Sequence, residues 1–204
     1  MNSPSRSTVT YICGPHGAGK STLIRRLVEH QSSLTALPRL PLRLPPDIRP
    51  FPRVATRVLA YSLEWHMHHG HIQRQTAHTF IGDRCIVDSL IYANAFNQLG
   101  WLSDHEHAWL HDLARRWANV PPRLILLAPP LTMVQTHLAV RWTRSAPGWR
   151  ERDFTYLQAV HQSYLEFAAD TATQRRYGVQ ELLLISHSQP STWTHEASTW
   201  LGST

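Results

Sequence analysis

The spacing of apolar positions changes repeatedly along this chain, and each change marks an element. Val9–Cys13 (VTYIC) is β-rich without polar alternation, the pattern of a strand buried on both faces. Past a glycine-rich turn, Leu23, Leu27 and Val28 share one side of a helix predicted over about 20–30. Residues 34–52 read as a short strand at best and then a proline-rich loop over 38–52, with six prolines after position 37. Val54, Val58, Tyr61 and Trp65 recur at i, i+4, i+7 and i+11, which predicts a helix from about 53 to 69 that stops at Gly70. A strand follows around Thr79–Ile81, or else at Cys85–Val87. Asp88 or Ser89 can then cap a helix, LIYANAFNQL, ending near Gly100. Trp109, Leu113 and Trp117 mark another helix, Pro121 and Pro122 break it, and RLILLA (123–128) is a buried strand. Two helices, about 130–142 and 153–170, flank an arginine-rich loop. QELLLIS (180–186) is the last strand, and Trp193, Ala197, Trp200 and Leu201 give a closing helix.

Strands alternating with helices mean an α/β fold with a parallel sheet, here five-stranded, covered on both faces. A chain of 204 residues is expected to form one domain, preceded by a flexible tail at 1–7. Two cysteines do not make a disulfide framework. No apolar run is long enough for a membrane span, so the expectation is a cytoplasmic protein that does not touch a membrane. The formal net charge is +6 and the isoelectric point near 9.9, which suits polyanionic ligands but equally follows from a genome that favours arginine. His66, His68, His69 and His71 cluster in WHMHHGH, where a solvated helix end is the simpler reading than a metal site.

One stretch changes the picture. Residues 14–22, GPHGAGKST, fit G-x-x-x-x-G-K-[ST], directly after a strand and directly before a helix. Its Lys20 is the only lysine among 20 lysines and arginines. The glycines Gly14, Gly17 and Gly19 allow backbone conformations that a β-carbon would forbid. The inward N–H groups of His16, Gly17, Ala18, Gly19, Lys20, Ser21 and Thr22 are then expected to cradle phosphates at a helix N-terminus. Lys20 reaches the terminal phosphates as a compact ammonium that a planar guanidinium cannot replace. Ser21 offers its hydroxyl to Mg²⁺.

Residues 83–92, DRCIVDSLIY, add a second motif. With Asp83, Arg84, Ser89 and Tyr92 in place, the chain resembles the nucleoside and nucleoside-monophosphate kinase group of P-loop proteins, which includes thymidylate kinases and deoxynucleoside kinases. Asp83, Arg84, Asp88 and Tyr92 fit equally well the D-R-x-x-x-D-x-x-x-Y version of related ATP-binding proteins. RLILLAPP (123–130) resembles the strand and turn before the lid in such kinases. Arg141, Arg144, Arg150 and Arg152 lie where those kinases place the lid, here 141–152, and RDFTYLQAVHQSYLEF (152–167) resembles the helix after it.

The resemblance implies ATP and Mg²⁺ as cofactors and a small nucleoside- or nucleotide-like acceptor rather than nucleic acid. It implies Lys20, Asp83, Arg84, Arg141 and Arg144 as catalytic residues, Ser21 and Asp83 at the metal, and Arg53, Arg57, Arg84, Asp88 and Tyr92 at the acceptor. Relatives that dimerise use helices after the first and third strands, so a homodimer stays open. Phosphoryl transfer is mostly positioning and charge neutralisation, which these residue types supply.

The chain departs from the group at one place. Such kinases carry a carboxylate just after their second strand, whereas here the first acid is Asp47, deep in the proline-rich loop. Either Asp47 replaces it, or Asp83 acts alone, or the acceptor is already an anion and needs no base. In the last case Arg49, Arg53 and Arg57 are candidate phosphate contacts. The alternative class is a P-loop ATPase or nucleotide-binding regulator acting on a protein or nucleic-acid partner, and a polynucleotide 5′-kinase would combine the two.

Overall fold

The computed structural model describes residues 8–72, 79–117 and 123–202. The proposed tail at 1–7 and the helix break at Pro121–Pro122 lie outside them. Five strands form one all-parallel sheet: β1 (Thr8–Cys13), β2 (Leu34–Ala36), β3 (Thr79–Asp83), β4 (Arg123–Leu127) and β5 (Glu181–Ile185), in the order β2-β3-β1-β4-β5. The α/β architecture read from the sequence is therefore the one observed. Eight helices are described: α1 (Lys20–His30), α2 (Pro50–Ile72), α3 (Ile86–Gln98), α4 (Asp104–Trp117), α5 (Leu131–Trp142), α6 (Phe154–Ala169), α7 (Thr171–Arg176) and α8 (Pro190–Gly202).

Alternate residues of the central strands feed two separate cores, which is why no polar alternation is visible in them. Val9, Tyr11 and Cys13 of β1, with Leu124 and Leu126 of β4, face the larger core under α2, α3, α4 and α6. Ile12, Ile125 and Leu127 face the smaller one, closed by Leu23 and Leu27 of α1 and Trp193, Ala197 and Leu201 of α8. Because β1 is flanked by β3 on one side and β4 on the other, its C-terminal end opens on the crevice where α/β sheets take ligands.

The structure corrects the bounds of the second helix and the capping role of Asp88 and Ser89, and it selects the first of the two strand alternatives. The second helix neither begins at 53 nor stops at Gly70. Pro50 and Pro52 occupy its first turn, where the missing N–H costs nothing, and it runs on to Ile72, which is buried. The strand after it is β3, and Cys85–Val87 is not a strand. Cys85 is the N-cap of α3, so Asp88 and Ser89 lie inside the first turn and cap nothing. The short α7, capped by the Asp170 carboxylate accepting from the Thr173 N–H, was not anticipated.

A candidate phosphotransfer site

The C-terminal end of β1 runs into a turn and α1, and α1 begins in an unusual way. Its N-cap, Gly19, is left-handed (φ +97°) and offers no side chain to the first helical N–H groups. Those donors are left for a ligand. Gly17 is left-handed as well, at φ +75°, and a β-carbon there would sit 2.7 Å from Leu138 Cγ. Both glycines are dictated by geometry, not by composition.

Lys20 is buried and curls back over the loop, its Nζ donating to the Gly14 and Pro15 carbonyls at 2.7 Å each. Burial, with the Arg84 charge close by, lowers its pKa to about 7. His137 Nδ1 lies 2.9 Å from the Gly17 carbonyl and His161 Nε2 2.7 Å from that of Pro129, so α5 and α6 both brace this end of the sheet.

A cavity of about 620 Å³ opens above the turn. His16, Gly17, Gly19, Lys20, Ser21 and Thr22 form its floor, while Gly14 and Ala18 do not line it. Asp83, at the end of β3, enters from one side. Ser21 Oγ donates to its Oδ2 at 3.4 Å, and Arg39, in the loop after β2, reaches the same oxygen at 3.3 Å. The other carboxylate oxygen, Oδ1, is buried without a hydrogen-bond partner among the described residues. A hydroxyl beside a carboxylate with an unsatisfied oxygen fits a hard divalent cation that completes its shell with phosphate and water. No cluster of three His, Cys, Asp or Glu side chains exists among the described residues, so a closed protein cage for a metal is not built here.

Arg84 is the next residue, in a left-handed conformation (φ +69°) that costs a non-glycine residue about 1–3 kcal/mol. Its guanidinium is buried. It pairs with the Asp88 carboxylate one helical turn on and reaches the Gly14 carbonyl at 3.4 Å. Burial opposes its charge, but Asp88 and the Tyr92, Tyr61 and Tyr164 hydroxyls around it hold its pKa well above the ordinary value. Asp88 is itself fully buried. It accepts from the Gly14 N–H at 3.3 Å and from the Tyr164 hydroxyl. Its geometry ties α3 to the loop and to α6 and does not present it to the cavity.

The arginine-rich segment divides into two pairs. Arg141 and Arg144 line the cavity. Arg150, left-handed at φ +56°, stacks 4.8 Å over Trp101, and Arg152 lies 5.7 Å over Trp142. Sequence reasoning missed the residue that holds the segment down. Glu151 is buried, pairs with Arg141, and accepts from the Gly148 N–H at 2.7 Å and the Trp142 indole at 3.3 Å. It also approaches His16 Nδ1 at 3.5 Å. Burial, with Arg84, Arg57, Lys20 and Arg141 around it, pushes the His16 imidazole well below its usual pKa and keeps it neutral. Arg39 was missed as well. Neither residue carries a local signal, because each acts across a fold-dependent gap.

Beyond His16 and Arg84 lies a second, small pocket of about 10 Å³, lined by Arg53, Val54, Arg57, Ser89, Tyr92, Phe96 and Tyr156. Ser89 Oγ and the Tyr92 hydroxyl are buried there without a hydrogen-bond partner of good geometry among the described residues. Arg53 stacks 4.4 Å over Trp149, and burial, with Arg57 beside it, lowers its pKa to about 10. Neither arginine makes an ion pair among the described residues. Asp47 and Arg49 do not line this pocket; they lie on an adjoining open groove between the proline-rich loop and Trp149, which shares Arg53 with it.

No family model matches the chain, and no curated protein matches it in sequence. Solved structures do match in shape. A deoxyadenosine kinase from M. mycoides with bound dATP superposes at a TM-score of 0.69 and 16% identity, covering 96% of this chain and all of that one. The same kinase with bound dCTP gives 0.62 at 14%, covering 97% of this chain and 100% of that one. A thymidylate kinase from Ehrlichia chaffeensis gives 0.64 at 12%, covering 96% of this chain and 98% of that one. The chain therefore has a P-loop nucleoside/nucleoside-monophosphate kinase-like fold.

Proposed function

We propose that the protein transfers the γ-phosphoryl group of ATP to a nucleoside or nucleoside monophosphate. The observation that carries this reading is one continuous line of side chains. It runs from the phosphate turn through Arg84 to an aromatic pocket holding two arginines and two buried hydroxyls, of Ser89 and Tyr92, that lack a well-aligned hydrogen-bond partner among the described residues. An ATPase needs the first half of that line and has no use for the second. The fold shared with deoxynucleoside and thymidylate kinases supports the same reading.

In this reading the turn's N–H groups and Lys20 hold the β- and γ-phosphates, and Ser21 and Asp83 hold Mg²⁺. The metal neutralises charge on the phosphates when bound. Arg141 and Arg144 close over the γ-phosphoryl from the lid side, and Arg84 sits between donor and acceptor. Two adjacent cations at Arg53 and Arg57, with no carboxylate between them, favour an acceptor that is itself an anion. That removes the need for the carboxylate missing after β2, and leaves Asp47 outside the chemistry. A pocket of about 10 Å³ does not admit a nucleoside, so acceptor binding requires its walls to part, and Trp149, packed on Arg53, Phe96 and Tyr156 of that lining, is the side chain placed to give way.

The test is ADP release from ATP·Mg²⁺ against a panel of nucleosides and nucleoside monophosphates, with Lys20→Ala as blank. Lys20-dependent turnover with a monophosphate supports the reading, and Arg84→Ala then cripples it. A flat panel with ATP binding intact moves the weight to a nucleotide-binding regulator.

A further inference from the structure

The chain has two cysteines, and the fold brings them together. Cys13 Sγ and Cys85 Sγ are 3.6 Å apart, in van der Waals contact, although the residues are 72 positions apart in sequence. Both are buried and neither is bonded to another group. Their backbone positions are unequal. Cys13 ends the central strand β1, pairs with Leu126 of β4 and directly precedes Gly14. Cys85 is the extended N-cap of α3 and directly follows Arg84, at the joint between strand and helix. One sulfur is therefore carried by the sheet and the other by the corner where β3 turns into α3.

We propose that Cys13 and Cys85 form a redox-modification site. A peroxide-class oxidant converts them to a disulfide that ties the phosphate turn to the Asp83–Arg84 corner. One sulfur attacks a peroxide oxygen, breaking the O–O bond to give a sulfenic acid and one water. The second sulfur attacks the sulfenic sulfur and expels the hydroxyl as a second water. Two thiols and one peroxide thus become one disulfide and two waters, with sulfur oxidised and peroxide oxygen reduced. Peroxide is the fitting oxidant because the pair is too enclosed for a bulky disulfide reagent to reach in-line.

A disulfide bond is about 2.05 Å long, so the sulfurs must close by roughly 1.5 Å. Rotation of the two thiol side chains supplies part of that closure, and the remainder falls on the Arg84–Cys85 corner, where the Arg84 N–H is bonded to the Ile12 carbonyl at 2.9 Å. Arg84 shares the Gly14 carbonyl with Lys20, and its partner Asp88 accepts from the Gly14 N–H. Movement at Cys85 thus reaches both motifs at once. Displacements of this size at a positioned group cost about tenfold or more in rate.

Formation of the bond does not depend on the phosphotransfer reading; its effect on turnover does. The experiment therefore has separate arms. The full chain is treated with hydrogen peroxide, denatured in an alkylating agent, digested without reductant and mapped by mass. MgATP binding is followed in parallel by tryptophan fluorescence, and ADP release is measured where an acceptor is known. The expected result is a Cys13–Cys85 linked peptide two hydrogens lighter than its reduced parts. Turnover should fall about tenfold or more and return with dithiothreitol. Turnover of Cys85→Ala should not respond to peroxide. Recovery of both cysteines as alkylated thiols overturns the proposal. So does equal peroxide sensitivity in Cys85→Ala. If no acceptor is found, or if that variant does not fold, the peptide map on the wild-type chain still decides it.

Discussion

At the residue scale, the lone lysine is explained by what surrounds its ammonium. Two carbonyls at 2.7 Å, a buried stem and a cation nearby leave room for a compact charge and none for a fork of five donors. Lys20→Arg should therefore fail as badly as Lys20→Ala, each lowering acceptor-dependent ADP release by about two to three orders of magnitude. Recovery of turnover in the arginine variant would show that charge alone suffices. Asp88 presents the opposite case. Its position in the motif suggests a cap or an acceptor contact, but its burial beside Arg84 makes it a structural counter-charge. Removing one member of such a pair strands the other, at a cost of about 3–5 kcal/mol. Asp88→Asn should thus shift the urea midpoint far more than a surface substitution such as Asp112→Asn, whose carboxylate pairs with exposed arginines.

At the element scale, legibility followed burial. β1 and β4 were readable because both faces of each are buried, and α1 because its apolar stripe packs on one core. The Ile86–Val87 pair is where reading by pattern failed. Two β-branched residues suggest a strand, yet they open α3 because Arg84 has already turned the chain off the sheet at φ +69°. Gly70 misled for a similar reason: helix propensity is overridden when the residue two positions on, Ile72, is needed in the core. The seam between α3 and α4 carries a prediction of its own. His111 joins the Tyr177 hydroxyl to Asn94 Oδ1, which His107 also approaches at 2.8 Å. Burial, then His107, Arg115 and Arg176, lower the His111 pKa to about 4. The unfolded chain takes up this proton near pH 6.5 and the folded chain only near about 4. Stability from this group is thus complete above that window and is lost as the pH falls through it, by on the order of 3 kcal/mol. Urea midpoints measured across the window should fall less steeply in His111→Gln than in wild type. Parallel slopes would show that other groups drive the acid limb.

At the scale of the whole molecule, the two site motifs were legible because each is local: nine residues at 14–22 and ten at 83–92. What joins them was not, because it is assembled from segments far apart. Arg39 meets Asp83 across 44 positions, and Glu151 meets His16 across 135, so no spacing rule finds either. Glu151 is the point at which the arginine-rich segment is fastened. A single buried carboxylate satisfies Arg141, the Gly148 N–H and the Trp142 indole, and it sits against the phosphate turn at His16. In the proposed reading the acceptor pocket opens when Trp149 moves, and the strength of this latch then sets how readily the acceptor enters and how well it is held. Glu151→Ala leaves the half-buried Trp142 indole and the Gly148 N–H without their shared acceptor, a loss that corresponds to about tenfold in the closed population. Trypsin should then cleave after Arg144 about tenfold faster in the variant. The acceptor concentration at half-maximal rate should rise by a similar factor, with a smaller change in the maximal rate. If cleavage is unchanged, the segment is held by the stacking of Arg53 and Arg150 on Trp149 and Trp101 instead, and Trp149→Ala becomes the variant that opens it.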